Sequence, residues 1–105
     1  MKTKTFREIK FQSGDIIPAG VEVDVLPLRH KTEKKSHPFK CRVLYNGKEY
    51  GCKYTSVIEP PSDDAIEAMV FEMANCCSVN GVDNIEPDGF DPDGFPSWLQ
   101  ALGLA

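Results

Sequence analysis

Hydrophobic and polar positions alternate along the first half of the chain and switch to a longer period in the second. Val21-Glu22-Val23-Asp24-Val25 is the cleanest alternation, the pattern of a strand with one buried face, and Pro27 ends it. Before it, Phe6, Ile9 and Phe11 supply an apolar opening segment whose alternation is imperfect. Gly14-Asp15 and Pro18-Ala19-Gly20 are turn signals on either side of Ile16-Ile17. Asn46-Gly47 is the preferred two-residue type I′ turn of a hairpin. Closing it pairs Tyr45 with Lys48, Leu44 with Glu49, Val43 with Tyr50, Arg42 with Gly51 and Cys41 with Cys52. Cys41, Val43, Tyr45, Tyr50 and Cys52 then share one face, the expected core face. Thr55-Ser56-Val57-Ile58 reads as a short last strand, stopped by Pro60-Pro61.

Beyond the prolines the period becomes helical. Ile66, Met69, Val70, Met73 and Cys77 define one apolar stripe. Asp64 with Glu67 three residues on has the spacing of a capping box, and Asp63, Asp64 and Glu67 stand where the helix dipole favours negative charge. From Ser78 to Phe95 the chain is turn-rich and carries an imperfect repeat, Pro87-Asp88-Gly89-Phe90 then Pro92-Asp93-Gly94-Phe95. Each Pro-Asp-Gly reads as a tight turn. Ser97 is placed to cap a last short helix bearing Trp98, Leu99 and Leu102, ended near Gly103.

Charge adds a division that the hydrophobic pattern does not contain. All twelve Lys and Arg lie between Lys2 and Lys53 against six acids, a net of +6; residues 54–105 hold ten acids and no Lys or Arg. Such a split points to a nucleic-acid site, an acidic tail, or two halves that attract each other. Between the strands, Leu28-Arg29-His30-Lys31-Thr32-Glu33-Lys34-Lys35-Ser36-His37-Pro38 is expected to form a long basic loop. Long loops on small scaffolds are where function concentrates. Arg29, His30, Lys31, Lys34, Lys35, His37 and Lys40 are therefore the candidate partner-binding residues. Phosphates would suit them, with Phe39 or Tyr45 available for stacking, although a short charge run is more often a solvated loop. Phe90, Phe95 and Trp98 in the tail are a candidate interface, set against the simpler reading that they fold back over the open end of the strands.

Length suits one domain of 105 residues, with strands over 1–59 and a helix and acidic tail over 60–105 packed on them. No apolar stretch approaches the roughly 18 residues of a membrane helix. Met1-Lys2-Thr3-Lys4-Thr5 is followed by no apolar run, so no secretory signal is read and the cytoplasm is the expected compartment.

Catalytic and metal chemistry finds little purchase. Cys41 and Cys52 would face each other on neighbouring strands, close enough for a disulfide or shared metal ligation, but adjacent Cys76 and Cys77 cannot easily aim both sulfurs at one ion. Buried free thiols are the favoured reading. A mixed zinc site or a His37–Cys41 nucleophile pair would need His30 or His37 to reach a thiol that points to the core. Glu86, Asp88, Asp91 and Asp93 lack the spacing of a calcium loop and read as solvated turn residues. Phosphate-binding glycine loops, dinucleotide fingerprints, His-Glu-x-x-His and Gly-x-Ser-x-Gly are all missing from the sequence. No catalytic residue, cofactor or metal is expected.

The run Ser13-Gly14-Asp15-Ile16-Ile17-Pro18-Ala19-Gly20-Val21-Glu22-Val23, with the strands after it and Val57-Ile58, resembles bacterial SH3-like small barrels. That resemblance, over about half the chain, implies a small antiparallel barrel and a binding scaffold rather than a chemistry; with the C-terminal helix and irregular tail read above, the expected class is α+β. The ending Glu86-Pro87-Asp88-Gly89 … Gly94-Phe95-Pro96-Ser97-Trp98-Leu99 … Leu102-Gly103-Leu104 resembles the tails of short phage and bacterial proteins. The expected function is a non-enzymatic module, phage or mobile-element encoded, that binds and modulates a host protein. The rivals are a nucleic-acid binder using 29–40 and a protein that sequesters a small ligand between strands and tail.

Overall fold

The computed structural model describes residues 1–71 and 76–105, and its elements follow from the patterns above with a few instructive exceptions. Among the described residues six strands form two antiparallel sheets: β1 (Lys2–Lys4), β2 (Ile9–Lys10), β3 (Ile16–Ile17), β4 (Glu22–Pro27), β5 (Lys40–Tyr45) and β6 (Lys48–Lys53). The larger sheet has the order β1-β4-β5-β6, and β2 pairs with β3 in a small ribbon. Helices α1 (Lys31–Ser36), α2 (Tyr54–Val57), α3 (Asp63–Phe71) and α4 (Trp98–Ala101) complete the α+β architecture. No helix among the described residues is long and apolar enough to cross a membrane.

The β5–β6 hairpin has the register the Asn-Gly turn dictates, from Tyr45 opposite Lys48 to Cys41 opposite Cys52, and it extends one pair further, to Lys40 opposite Lys53. Asn46 and Gly47 both take positive φ, 50° and 73°, as a type I′ turn requires. Val23, Val25, Cys41 and Val43 are buried on one face of the large sheet. They form one hydrophobic cluster with Ile9, Ile17, Tyr54, Val57, Phe95, Trp98 and Ala101. The tail therefore supplies part of the core that the strands alone would leave open. Ser97 caps α4 as expected, its Oγ accepting from Gln100 N at 3.1 Å.

Four expectations are corrected. The basic segment is not an irregular loop: residues 31–36 form α1, with Glu33 in its first turn and Lys34 and Lys35 in its last, both favourable to the dipole. Residues 54–57 are a helical turn rather than a strand, because a three-residue spacing lets Tyr54 and Val57 enter the core from the same side. The cap of α3 is Ser62, whose Oγ accepts from Ala65 N at 3.2 Å, and Asp64 lies inside the first turn. In the opening segment Ile9 is buried but Phe6 is exposed, and Thr5 is buried instead, its Oγ1 donating to Pro18 O at 2.6 Å and accepting from Val21 N at 3.2 Å. Of the apolar stripe expected of this helix, Ile66 and Met69 are half-buried and Val70 is exposed on α3, Cys77 is half-buried outside any helix, and Met73 lies outside the described residues.

Candidate functional site

Helix α1 sits between Pro27 and Pro38, and all six of its residues keep some exposure. Lys31, Lys34 and Lys35 are spaced i, i+3 and i+4, so they share one side of it. On that side they line a groove of about 240 Å3 together with Phe90, the aromatic residue of the first Pro-Asp-Gly-Phe repeat. Two features that are separated by more than fifty residues in sequence thus become one surface. Lys34 is half-buried, and a Cβ on Gly94 would stand 3.2 Å from its Nζ, so its ammonium lies against the second Pro-Asp-Gly turn. The lysine stems and the Phe90 ring make the groove wall apolar, as long cationic side chains do when their stems lie along apolar surface.

The other predicted residues divide sharply. Arg29 is already engaged: it donates to Glu49 through both terminal nitrogens, at 3.1 and 2.7 Å. Arg42 donates to the same carboxylate at 2.9 Å and, through Nε, to Pro27 O at 2.9 Å. Arg42, followed by Arg29, holds the Glu49 carboxyl below its ordinary range. Neither guanidinium is free for a partner without breaking this network. His30 is exposed and precedes α1 without a side-chain capping bond. His37 caps the other end through its backbone, donating to Glu33 O at 2.8 Å. Its ring lies 3.1 Å from Ser36 Oγ and meets Phe39 edge-on at 5.8 Å. No hydrogen bond among the described residues joins His37 to Cys41, which faces Cys52 instead.

Lys31, Lys34, Lys35 and Lys40 have no carboxylate partner among the described residues. Lys40 stands directly opposite Lys53 across the hairpin, an arrangement of like charges that costs stability. Lys53 is absent from the sequence-derived candidates, yet extending the Asn-Gly register by one pair would have found it. Phe95 and Trp98 are buried in the core and offer no free surface, because the short chain needs their area inside. Phe90 alone of the three tail candidates stays half-exposed.

The acidic turns separate in the same way. Glu86, Asp88 and Asp93 are exposed, but Asp91 is buried, contrary to the expectation of solvation. Its Oδ1 accepts from Asp93 N at 2.9 Å and Phe95 N at 3.0 Å, the Asx-turn use of a short carboxylate. Among the described residues no group of three or more His, Cys, Asp or Glu side chains is arranged to hold a metal ion. A larger groove, about 530 Å3, is lined mainly by apolar groups of α3, the 84–87 segment and the chain end, including Met69, Val70, Ile85 and Leu99. It lies beside the tail rather than between the tail and the large sheet. Comparison with protein-family models, with curated proteins and with solved structures found no match.

Proposed function

We propose that this chain is a non-enzymatic binding module, phage or mobile-element encoded, whose α1 face engages an acidic segment of a host protein and modulates it. The observation that carries the proposal is the convergence of Lys31, Lys34 and Lys35 with Phe90 on one groove, with no carboxylate partner among the described residues. Among the described residues no acid forms an ion pair with these lysines. Cations three and four apart on a helix repel each other. An acidic partner removes that repulsion, and Phe90 supplies an apolar anchor of the type that dominates interface energies. Steering by the positive face would also speed association at low salt. The antiparallel meander of β4, β5 and β6 is compatible with the SH3-like reading of residues 1–59 that belongs to this proposal, but the two sheets do not close into the expected barrel.

The same face favours a second reading, because lysines beside an exposed ring are also what a single strand of nucleic acid uses for phosphate contact and base stacking. One experiment separates the two. The chain and its Lys31→Glu/Lys34→Glu/Lys35→Glu variant are used to capture host proteins from nuclease-treated lysate, and the captured protein is purified and titrated directly. A loss of affinity of about tenfold or more in the variant, at unchanged thermal midpoint, is expected for three electrostatic contacts. Equal affinity of chain and variant refutes the proposal. Retardation of a labelled oligonucleotide that the variant abolishes, with no protein retained after nuclease, transfers the function to the second reading.

A further inference from the structure

Cys41 and Cys52 occupy a special place in the hairpin. They are direct partners on β5 and β6, and their sulfurs are 3.8 Å apart. A two-residue turn makes Tyr45 and Lys48 a hydrogen-bonded pair, and every second pair beyond it is of the same kind. That places Val43 with Tyr50 and Cys41 with Cys52 in hydrogen-bonded positions. The bond from Tyr54 N to Phe39 O, 3.0 Å, continues the alternation two positions further. Such a pair holds its Cα atoms about 5.5 Å apart, inside the roughly 4.4–6.8 Å that a disulfide spans. Closing the bond then takes side-chain rotation together with a small approach of the two strands, because a hydrogen-bonded pair holds its Cβ atoms wider apart than a disulfide does.

We propose that Cys41 and Cys52 are a reversible disulfide site, closed by exchange with a low-molecular-weight disulfide of the glutathione type. The two thiols are unequal. Cys41 is fully buried, and Cys52 is half-buried and reachable. The contact between the two sulfurs, in which either can donate, loosens the Cys52 proton and, together with burial, pushes the Cys41 thiol up. Cys52 is thus the attacking group. Its thiolate attacks one sulfur of oxidised glutathione, forms the mixed disulfide and expels one glutathione thiolate. Cys41 then gives up its proton and attacks the Cys52 sulfur, closing the bridge and expelling the second glutathione thiolate. Two protein thiols are oxidised and one glutathione disulfide is reduced to two thiols, so electrons and protons balance. Lys40 and Lys53, the next residues along the two strands, attract the anionic reagent. Cys76 and Cys77, adjacent in sequence, have no such geometry: the Cys76 sulfur contacts the Cys77 carbonyl oxygen at 3.8 Å. The site is independent of what the α1 face binds.

The test equilibrates the whole chain with mixtures of reduced and oxidised glutathione, then traps free thiols and maps the peptides by mass spectrometry. A cross-link between the Cys41 and Cys52 peptides that reverses with excess reduced glutathione is expected. Cys41→Ser should stop the reaction at a glutathione adduct on Cys52, and Cys52→Ser should remove both products. The exchange equilibrium constant in buffer should exceed that in urea by about tenfold or more, because the fold pre-positions the two thiols. A ratio of one or less, an adduct on Cys52 that never resolves in the unsubstituted chain, or no reaction at any glutathione ratio each overturns the proposal.

Discussion

Ser97→Ala tests whether the tail is part of the core or an accessory to it. Ser97 is fully buried. Its Oγ caps α4 by accepting from Gln100 N at 3.1 Å and donates to Pro87 O, tying α4 to the first Pro-Asp-Gly turn. Losing a serine cap costs about 1 kcal/mol. Losing the donor to a partly buried carbonyl costs about another 1 kcal/mol. The expected loss is therefore about 2 kcal/mol, which for a chain of this size lowers the midpoint of thermal unfolding by roughly 10 °C. The chain has one tryptophan, Trp98, buried beside the substitution, so its fluorescence reports the tail while far-ultraviolet circular dichroism reports backbone structure across the chain. Urea titrations read by both probes should shift to lower midpoints together, because Trp98 and the strand valines share one buried cluster. Ser36→Ala is the control: its Oγ bonds to Thr32 O at 2.8 Å on the exposed side of α1, and its loss should cost less than about 0.5 kcal/mol. A Ser97→Ala effect as small as that of the control, or a Trp98 transition that separates from the backbone transition, refutes the reasoning.

Three further outcomes follow from the hairpin and its ion pairs. Asp15 is held below its ordinary range by the bond from Lys48 and then by the bond from Tyr50, and Glu49 by Arg42 and then Arg29. A depressed carboxyl stabilises the fold above its unfolded value, 3.8 for Asp15 and 4.5 for Glu49, and that contribution is lost as pH falls through the lower folded value. Thermal midpoints should therefore fall on acidification below these values. Asp15→Asn combined with Glu49→Gln should flatten that slope, and an unchanged slope would show that other carboxyls govern it. Gly47→Ala should destabilise by about 1 kcal/mol, since its φ is +73° and nothing crowds its Cβ, so the cost is conformational alone. Gly51→Ala in the same hairpin has neither positive φ nor crowding and should be neutral or stabilising by up to about 1 kcal/mol in urea titration.

Local rules carried the fold wherever one residue type had one physical meaning. Asn46-Gly47 permits essentially one turn, and that turn set the register of twelve residues. Val21 to Val25 alternates, and β4 buries Val23 and Val25 as the alternation requires. The failures fall where two local preferences compete. Residues 54–57 are rich in β-formers, but burial of Tyr54 and Val57 on one side outweighs that propensity. Residues 31–36 combine Lys, Glu, Thr and Ser between two prolines, a composition equally fit for a solvated loop or a single short helix. Ser62 and Asp64 are both good caps, and the choice between them depends on where Pro60-Pro61 lets the chain turn.

The candidate face was legible in its parts and not in its assembly. The basic cluster is visible as composition, and Phe90 as one member of an aromatic tail. Their meeting depends on the tail returning to α1, which no local pattern encodes. The imperfect repeat nevertheless holds the reason that Phe90 and Phe95 part company. The first turn opens on Glu86 and the second on Asp91. Only the shorter carboxylate can fold back to accept from Asp93 N and Phe95 N, so the second turn buries its acid and draws Phe95 inward. The first turn has no such clamp. Its acid stays exposed, and Phe90 remains at the surface against the lysines. One methylene between glutamate and aspartate thus separates a core phenylalanine from the aromatic side of the candidate site.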